Sequence, residues 1–443
     1  MSFQSPQTRF FRSARYRGFL TRQQLRRVVF WAGATFVAAA AILFAKGSTV
    51  AYETFHAAAA QRPWLVLVLC PLGLALSLWL TRQVFVGAQG SGIPQTIAAI
   101  GDPVFAASGV LSLRVAFGKI VLTMLGLACG ASVGREGPSV QVGAAIMHSL
   151  GRRLNLSEVR LQRALVVAGG AAGVAAAFNT PLAGVVFAIE ELSRSFDMRT
   201  SGRVFSAVIM AGIASLAVLG NYTFFGHTDA VLTVGNGWLP VIVCGVAGGL
   251  AGGLFASILV RFSRRGLPGR AGAWVKSHPI AFAASCGVVL AGLGLLSGGD
   301  TYGTGYRETR ALLSGQSISP AWGLLKMAAT IVSYASGIPG GIFSPSLATG
   351  AGLGRALADW MPMAPSGAVI ILGMVAYFSG AVQAPITAVV IVMEMTDNQA
   401  LTIPLMASAL IAFSVSRQIC GKPLYKALAE GFRPPAAGTR PPL

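Results

Sequence analysis

Two carboxylate side chains stand out because each lies in an apolar, glycine-rich stretch of sequence. Glu136 belongs to GREGP at 134–138, and Glu191 lies near the end of AAAFNTPLAGVVFAIEEL at 175–192. A carboxylate inside a membrane is costly and indicates a role in moving ions or protons. Since an ionised carboxylate can occupy an anion site and leave it when protonated, we predict that Glu136 is a gate. The alternative is a structural ion pair with Arg135.

Four short motifs combine glycine with proline or a hydroxyl-bearing residue. A glycine-rich break before a helix leaves backbone N–H groups at the helix N-terminus, where they and the helix dipole attract an anion. Proline is tolerated in that first turn. Several such starts would hold a dehydrated anion weakly enough for turnover. For any single motif, the alternative is that glycine only allows close helix packing. The motifs are GSGIP at 90–94, GREGP at 134–138, GGIFSP at 340–345 and GKPLY at 421–425.

The composition is that of a membrane protein. Of 443 residues, 54% are hydrophobic and 11% are charged, whereas soluble proteins carry about 25% charged residues. Several apolar stretches approach the roughly 20 residues that cross a bilayer. We therefore predict an all-α polytopic membrane protein. The clearest stretches are 28–44, 64–80, 240–260, 279–297 and 401–415.

The positive charges predict the orientation in the membrane. The net charge is +20, and the first 30 residues hold seven Arg and no acid. Further basic loops lie at 152–163, 194–203 and 261–276, whereas 221–238 holds no Lys or Arg. The positive-inside rule then places both termini in the cytoplasm of a multi-pass plasma (inner) membrane protein. This topology accounts for the charge, so we expect no nucleic-acid partner.

The remaining reactive side chains indicate no catalytic or metal chemistry. The five Cys lie in or beside apolar stretches, so we expect buried thiols rather than a disulfide framework. The four His are scattered, and neither HExxH nor a cofactor-binding loop is present. We therefore expect no metal, no cofactor and no enzymatic activity.

The chain contains an internal repeat. A shift of 207 residues overlays 119–144 on 326–351 without gaps, and shifts of 204 and 213 extend the match. Lysines, prolines and a glutamate recur in the same order, which chance matching of small apolar residues would not readily give. The matched pairs include Lys119 with Lys326, Gly134 with Gly341, Pro181 with Pro385 and Glu190 with Glu394.

The two halves are predicted to be inverted. Span 28–44 leaves the cytoplasm, whereas its counterpart 240–260 runs inward from the outer loop. Inverted repeats are typical of transporters with a site at the bilayer midplane. The predicted segments are a basic cytoplasmic N-terminal segment at 1–27, a first membrane repeat at 28–220, an extracellular linker at 221–239, a second inverted membrane repeat at 240–428 and a cytoplasmic tail at 429–443.

The repeat separates two adjacent acids. Glu190 matches Glu394, which suggests a structural role for both, whereas Glu191 matches Met395 and is not required by the architecture. Glu191 precedes the basic loop at 194–203, so it is expected at the cytoplasmic end of its helix. A solvated helix end is the alternative for Glu191.

The four motifs in this order, together with 175–192, resemble the CLC family of chloride channels and chloride–proton antiporters. The resemblance extends from about residue 28 to residue 428 and is to the prokaryotic type without C-terminal CBS domains. It implies an inverted repeat of short, tilted, broken helices. It also implies a homodimer in the lipid bilayer with one pore per subunit. The apolar surfaces near 182–215 and 401–420 are the expected dimer contacts.

The resemblance further implies roles for individual residues. The hydroxyls of Ser91 and Tyr425 and the backbone N–H groups of Ile342 and Phe343 would bind a central chloride. Nitrate-preferring relatives carry Pro at the position of Ser91. Three more residues belong to the predicted chloride site: Gly92, Arg135 and Gly137. In the same terms, Glu136 is the gating glutamate and Glu191 is the internal glutamate that transfers protons.

Three functions are weighed against each other. Chloride/proton antiport would use Glu136 and Glu191, whereas a passive proton-gated chloride channel would use the same anion site without coupling. Glu191 favours antiport. The neutral segment 95–98 favours the channel, since similar antiporters often have an acidic helix start there. A membrane enzyme or scaffold is a remote third reading, because the sequence lacks catalytic motifs.

Overall fold

The computed structural model describes residues 6–156, 158–193, 198–220, 222–232 and 238–432. Within these ranges the chain is helical, and its only β-type pairing is two isolated bridges. This confirms the all-α prediction. Parts of four predicted segments lie outside the described residues: 1–5 of the N-terminal segment, 157 and 194–197 of the first repeat, 221 and 233–237 of the linker, and 433–443 of the tail.

The first half contains nine α-helices among the described residues. Short π-helical turns follow α4 at Ala106–Val110 and α8 at Ala188–Ser193. The helices are α1 Pro6–Gln61, α2 Val66–Gln83, α3 Ile93–Gly101, α4 Pro103–Phe105, α5 Leu113–Ala128, α6 Glu136–Arg153, α7 Val159–Phe178, α8 Pro181–Phe187 and α9 Met198–Leu219.

The second half follows the same order, with ten α-helices in its described part. One 3₁₀ turn, Pro63–Leu65, joins α1 to α2 in the first half, and another, Glu430–Phe432, follows α19. The helices are α10 Trp238–Arg265, α11 Gly269–Ser277, α12 Pro279–Leu296, α13 Tyr306–Leu313, α14 Trp322–Ala335, α15 Phe343–Ala358, α16 Ser366–Val382, α17 Pro385–Thr396, α18 Thr402–Ile419 and α19 Leu424–Ala429.

Long and broken helices alternate along the chain. In the described residues, seven helices are long and apolar enough to cross a membrane, or eight if the pair Pro103–Val110 and Leu113–Ala128, bent by 64°, is one span. Helix α1 begins at Pro6, so the basic N-terminal segment continues directly into the first span. Helices α3, α6 and α15 each begin after glycine and carry proline in the first turn, as the motifs predict.

Two buried lysines anchor the glycine loops of the two halves. Lys119 Nζ on α5 donates hydrogen bonds to the carbonyls of Gln89 and Gly90, at 3.1 and 2.8 Å. Lys326 Nζ on α14 donates to the three carbonyls of 301–303, at 2.7–3.3 Å. Each lysine therefore holds the loop that precedes a short helix, which gives the repeated lysines a common structural role.

Glu190 and Glu394 join the halves reciprocally. Glu190 Oε2 accepts a hydrogen bond of 2.6 Å from Thr387 N at the start of α17. Glu394 Oε2 accepts one of 2.6 Å from Ala183 N at the start of α8. Acidic groups at helix N-termini satisfy free N–H donors and the helix dipole. Equivalent residues thus cap each other's helices, which indicates a pseudo-twofold relation and agrees with the predicted structural role of this pair.

Candidate functional site

The starts of α3, α6 and α15 converge on one buried point. Gly134 and Gly341 pair through backbone hydrogen bonds just before α6 and α15. The Cα of Gly137 in the first turn of α6 faces Ser91 Oγ, and a side-chain carbon on Gly341 would lie 3.1 Å from Gly137 N. Three helix N-termini, with their positive dipole ends, therefore surround the same small volume. The structure thus brings together the motifs that the sequence singled out.

Two hydroxyl groups project into this region. Ser91 is 2% exposed and Tyr425 is fully buried. The two side chains lie close enough to interact, but among the described residues neither hydroxyl has a hydrogen-bond partner in good geometry. Buried hydroxyls are normally hydrogen-bonded. Two donors are therefore available to a ligand at the helix N-termini.

Ile342 and Phe343 form the start of α15. Ile342 is the N-cap residue and Phe343 is the first helical residue, and both are buried. Since the first N–H groups of a helix have no intrahelical acceptor, this end of α15 offers backbone donors. The Phe343 ring packs on Phe378 and Phe178, with centroids 4.3 and 5.2 Å away. This packing fixes the direction in which the helix start points.

Glu136 places its carboxylate among the same groups. It is the first residue of α6 and is 1% exposed, and neither carboxylate oxygen is hydrogen-bonded to a described residue. Oε2 contacts Gly134, and a carbon added to Gly134 would lie 3.4 Å from Ser344 N at the start of α15. Backbone dipoles therefore surround the carboxylate.

The distance between Arg135 and Glu136 is long for the structural ion pair that was the alternative role of Glu136. Arg135 Nε lies 4.0 Å from Glu136 Oε1, a distance beyond that of a hydrogen bond. The guanidinium instead donates to Ala45 O at 2.8 Å and lies over the Phe224 ring, 5.9 Å from its centroid. Arg135 therefore connects α6 to α1 and forms no hydrogen bond with the Glu136 carboxylate.

A cavity of about 280 Å³ reaches the carboxylate from one side. Glu136 and Arg135 are among the residues that line it. The Glu136 side chain therefore borders this cavity as well as the start of α15. The rest of the wall includes Ser48, Tyr52, Tyr222, Phe224, Tyr306 and Arg307.

Glu191 is a second buried carboxylate. It belongs to the π-helical turn after α8 and is 1% exposed, so the solvated-helix-end alternative is wrong. Tyr425 lies within electrostatic range of both Glu136 and Glu191. Its neighbour Glu190 lines a second cavity of about 660 Å³, together with Gln383, Arg417, Lys422 and Lys426.

The comparisons with known proteins agree with this architecture. The family model described as "Voltage gated chloride channel" matches residues 72–417. The chain belongs to the CLC family. The H(+)/Cl(−) exchange transporter ClcA of Cronobacter sakazakii is 32% identical over 413 residues, covering 86% of this chain and 84% of that protein. ClcA of Yersinia pestis is 32% identical over 397 residues, covering 82% and 77%.

Solved CLC structures have the same fold. A slow cyanobacterial Cl−/H+ antiporter is similar with a TM-score of 0.75 and 25% identity, covering 91% of this chain and 97% of that chain. A CLC-type fluoride/proton antiporter is similar with a TM-score of 0.74 and 24% identity, covering 89% and 96%. The second likeness concerns the fold alone.

Gly92, one of the predicted chloride ligands, has a structural role in this CLC protein. Its N–H donates to Gln95 Oε1 at 3.1 Å. Gly92 has φ +99°, and a side-chain carbon there would lie 2.8 Å from Gly137 O. Glycine is needed here because it permits this backbone conformation and the close approach of α3 to α6.

Gln95 is a functional candidate that sequence reasoning missed. It is 1% exposed, its Nε2 donates to Gln89 O at 2.5 Å, and its Oε1 accepts from Gly92 N. Lys119 donates to the same Gln89 carbonyl. The neutral amide thus holds the loop that carries Ser91, a task that needs both a donor and an acceptor. Its position three residues after Gly92 is the capping-box spacing that could have revealed it.

In the part of the chain that the structure describes, the remaining titratable groups form neither a metal site nor a disulfide. All five Cys are buried free thiols, as predicted. Among the described residues, no group of three or more His, Cys, Asp or Glu side chains is arranged to hold a metal ion.

Proposed function

We propose that this CLC protein exchanges chloride for protons across the plasma (inner) membrane. The observation that carries the proposal is the position of the Glu136 carboxylate, buried among the starts of α6 and α15 beside the Ser91 region. Donors that can surround a carboxylate can also surround a halide ion, since both are anions stabilised by N–H groups and dipoles. Glu136 is therefore the gate and chloride its competitor.

The proposed chloride site uses the Ser91 and Tyr425 hydroxyls and the N–H groups of Ile342 and Phe343. Both hydroxyls lack a well-formed protein hydrogen bond among the described residues. Partial charges rather than a full positive charge suit rapid release of the ion. Gly137 contributes the close approach that brings Ser91 to α6.

Chloride displaces the ionised Glu136 carboxylate, which then takes up a proton from the cavity on its side. Protonated Glu136 is neutral, so the N–H and hydroxyl donors of the chloride site no longer attract it. Chloride can then pass. Glu191 exchanges that proton with the opposite side, through transient water between the two carboxylates. Proton and anion steps then share the outer part of the route and separate beyond Tyr425. The names of the relatives, which are H(+)/Cl(−) exchange transporters, support this coupling.

The second candidate is a passive, proton-gated chloride channel. The neutral segment at 95–98 favours it, but the anchoring role of Gln95 accounts for that neutrality without reference to transport. The buried position of Glu191 supports antiport.

A reversal-potential measurement distinguishes the two. Purified protein in planar bilayers is given opposing chloride and proton gradients. Antiport predicts a reversal potential displaced from the chloride equilibrium value by the proton gradient, and uphill proton movement in vesicles given only a chloride gradient. A reversal potential that follows chloride alone at every pH identifies a channel.

A homodimer is part of the proposal. The predicted contact surfaces, 182–215 and 401–420, present several exposed apolar side chains on α8, α9 and α18, and exposed apolar area of this extent marks lipid or subunit contacts. Cross-linking in membranes at paired cysteines on α9 and α18 tests the dimer. The side chains concerned are Leu182, Ile209, Ile213, Ile403, Met406 and Leu410, all 49–70% exposed.

A further inference from the structure

A basic cavity lies away from the ion route, where the end of α6 meets the start of α5. Its volume is about 470 Å³, and its wall includes Ser112, His148, Arg152 and Arg153. None of the described residues that line it is acidic. Helix α6 carries Glu136 at its first residue and the two arginines in its last turn, so the cavity and the gate are at opposite ends of one helix.

The charges in this cavity favour an anion with several oxygens. Arg152 and Arg153 are exposed, and neither forms an ion pair with an acid that the structure describes. The first turn of α5, which begins at Leu113, adds backbone donors and a positive dipole end. Paired guanidinium groups and helix N-termini are typical phosphate ligands.

His148 adds a buried polar side chain to the wall. It is 8% exposed. Neither ring nitrogen is hydrogen-bonded in good geometry to a described residue, although the Gln162 amide lies near. The oxygens of a bound group could therefore form hydrogen bonds with the His148 ring.

An apolar stripe leads away from the cavity. Leu113, Phe117 and Val121 are 41%, 62% and 38% exposed and follow one another at four-residue spacing along α5. Side chains with this spacing share one helix face. Hydrocarbon chains attached to a group in the cavity could pack along this face, whereas a free inorganic anion would make no use of it.

We propose that this cavity binds the phosphate of an anionic phospholipid whose acyl chains lie along α5. The basic end supplies the charge selectivity, because cationic side chains at a membrane surface attract anionic headgroups. The apolar stripe supplies the preference for a lipid over a free phosphate. The site is independent of chloride or proton binding.

Native mass spectrometry of the detergent-purified full chain tests the proposal by titration with phosphatidylglycerol and, separately, phosphatidylcholine of the same acyl chains. R152Q/R153Q should weaken phosphatidylglycerol binding about 10- to 30-fold, at roughly 1 kcal/mol per cation, and leave phosphatidylcholine unchanged. The matched control is R160Q/R163Q, which removes two exposed charges from α7 outside the cavity and should bind as wild type. Equal phosphatidylglycerol affinities in all three proteins, or equal losses in both variants, would overturn the site.

A second arm separates a lipid from a free phosphate. L113S/F117S should weaken phosphatidylglycerol binding while leaving the two arginines intact. Inorganic phosphate at millimolar concentration should fail to displace the lipid from wild type. Full displacement by phosphate, together with unchanged lipid binding in L113S/F117S, would overturn the lipid assignment and leave a simple phosphate site.

Discussion

Gly134 and Gly341 exchange two backbone hydrogen bonds, from Gly134 N to Gly341 O at 2.6 Å and from Gly341 N to Gly134 O at 2.7 Å. These residues are equivalent in the internal repeat and directly precede α6 and α15. Because the two glycines are equivalent, their pairing reflects the pseudo-twofold relation between the halves. It also holds two helix N-termini side by side. The donors that could bind an anion therefore depend on a contact between residues 207 positions apart.

The first prediction concerns this contact. Gly134→Ala would place a carbon against the Glu136 carboxylate and 3.2 Å from Pro345 Cδ, so we expect a loss of about 1–3 kcal/mol in stability from overpacking. Thermal unfolding in detergent measures it. Gly126→Ala is the control, since the added carbon would lie at 3.4 Å from Ile338 and 3.5 Å from Ala131. Similar losses in both variants would contradict the prediction.

The second prediction concerns coupling. Glu136→Gln should move chloride without protons and lose its pH dependence, because the side chain can no longer ionise. Glu191→Gln should keep chloride movement and lose only proton coupling. Simultaneous chloride and pH recordings on vesicles measure both fluxes. Glu158→Gln, an exposed acid paired with Arg26, should behave as wild type. Proton coupling that survives in Glu191→Gln would remove that residue from the route.

The third prediction concerns anion binding. Tyr425→Phe removes one hydroxyl and keeps the ring, so calorimetry should show chloride binding weakened about tenfold or more, the usual effect of losing a hydrogen bond to a charged group. Ser91→Pro should shift the preference toward nitrate. Wild-type isotherms and selectivity in both variants would refute the site.

The fourth prediction concerns Gln95. Gln95→Met has a similar length but lacks both hydrogen bonds, so Gln89 O and Gly92 N lose a partner. We expect a stability loss of about 1–3 kcal/mol and weaker chloride binding, because the Ser91 loop is less well held. Gln95→Glu keeps only the acceptor and should lie between wild type and Gln95→Met in both measurements. Wild-type chloride affinity in Gln95→Met would show that the loop needs no such anchor.

The fifth prediction concerns pH and a loop outside the spans. Hydrogen bonds to Asp229 and then Asp397 raise the pKa of His227 above its ordinary value. Protonated His227 therefore stabilises the folded protein. This stabilisation is fully present below the pKa of His in the unfolded chain, about 6.5, and it is lost as the pH rises through the higher pKa of His227 in the folded protein. His227→Gln should therefore lower the melting temperature at about pH 5.5 and not at about pH 8.5. An equal effect at both values would show that the charge is irrelevant.

The class of protein and the positions of its motifs could be predicted from the sequence alone. Long apolar stretches, glycine breaks with proline, and the repeat are local or periodic features, so they remain visible along the chain. The same holds for Glu136, because a carboxylate between glycines in an apolar segment has few structural explanations. The matching of Lys119 with Lys326 is part of that repeat, and the hydrogen bonds of the two lysines then show their shared role.

Which groups face one another could not be predicted along the chain. Gln95 was predicted only as the start of a neutral segment, yet a contact with the Gln89 carbonyl makes the glutamine an anchor. Arg135 adjoins Glu136 in sequence, but its guanidinium binds α1 instead. A solvated helix end was an open alternative for Glu191, and it is the packing around the turn after α8 that buries the side chain. Side-chain direction and burial arise from long-range packing between helices, and spacing along the chain carries no record of that packing.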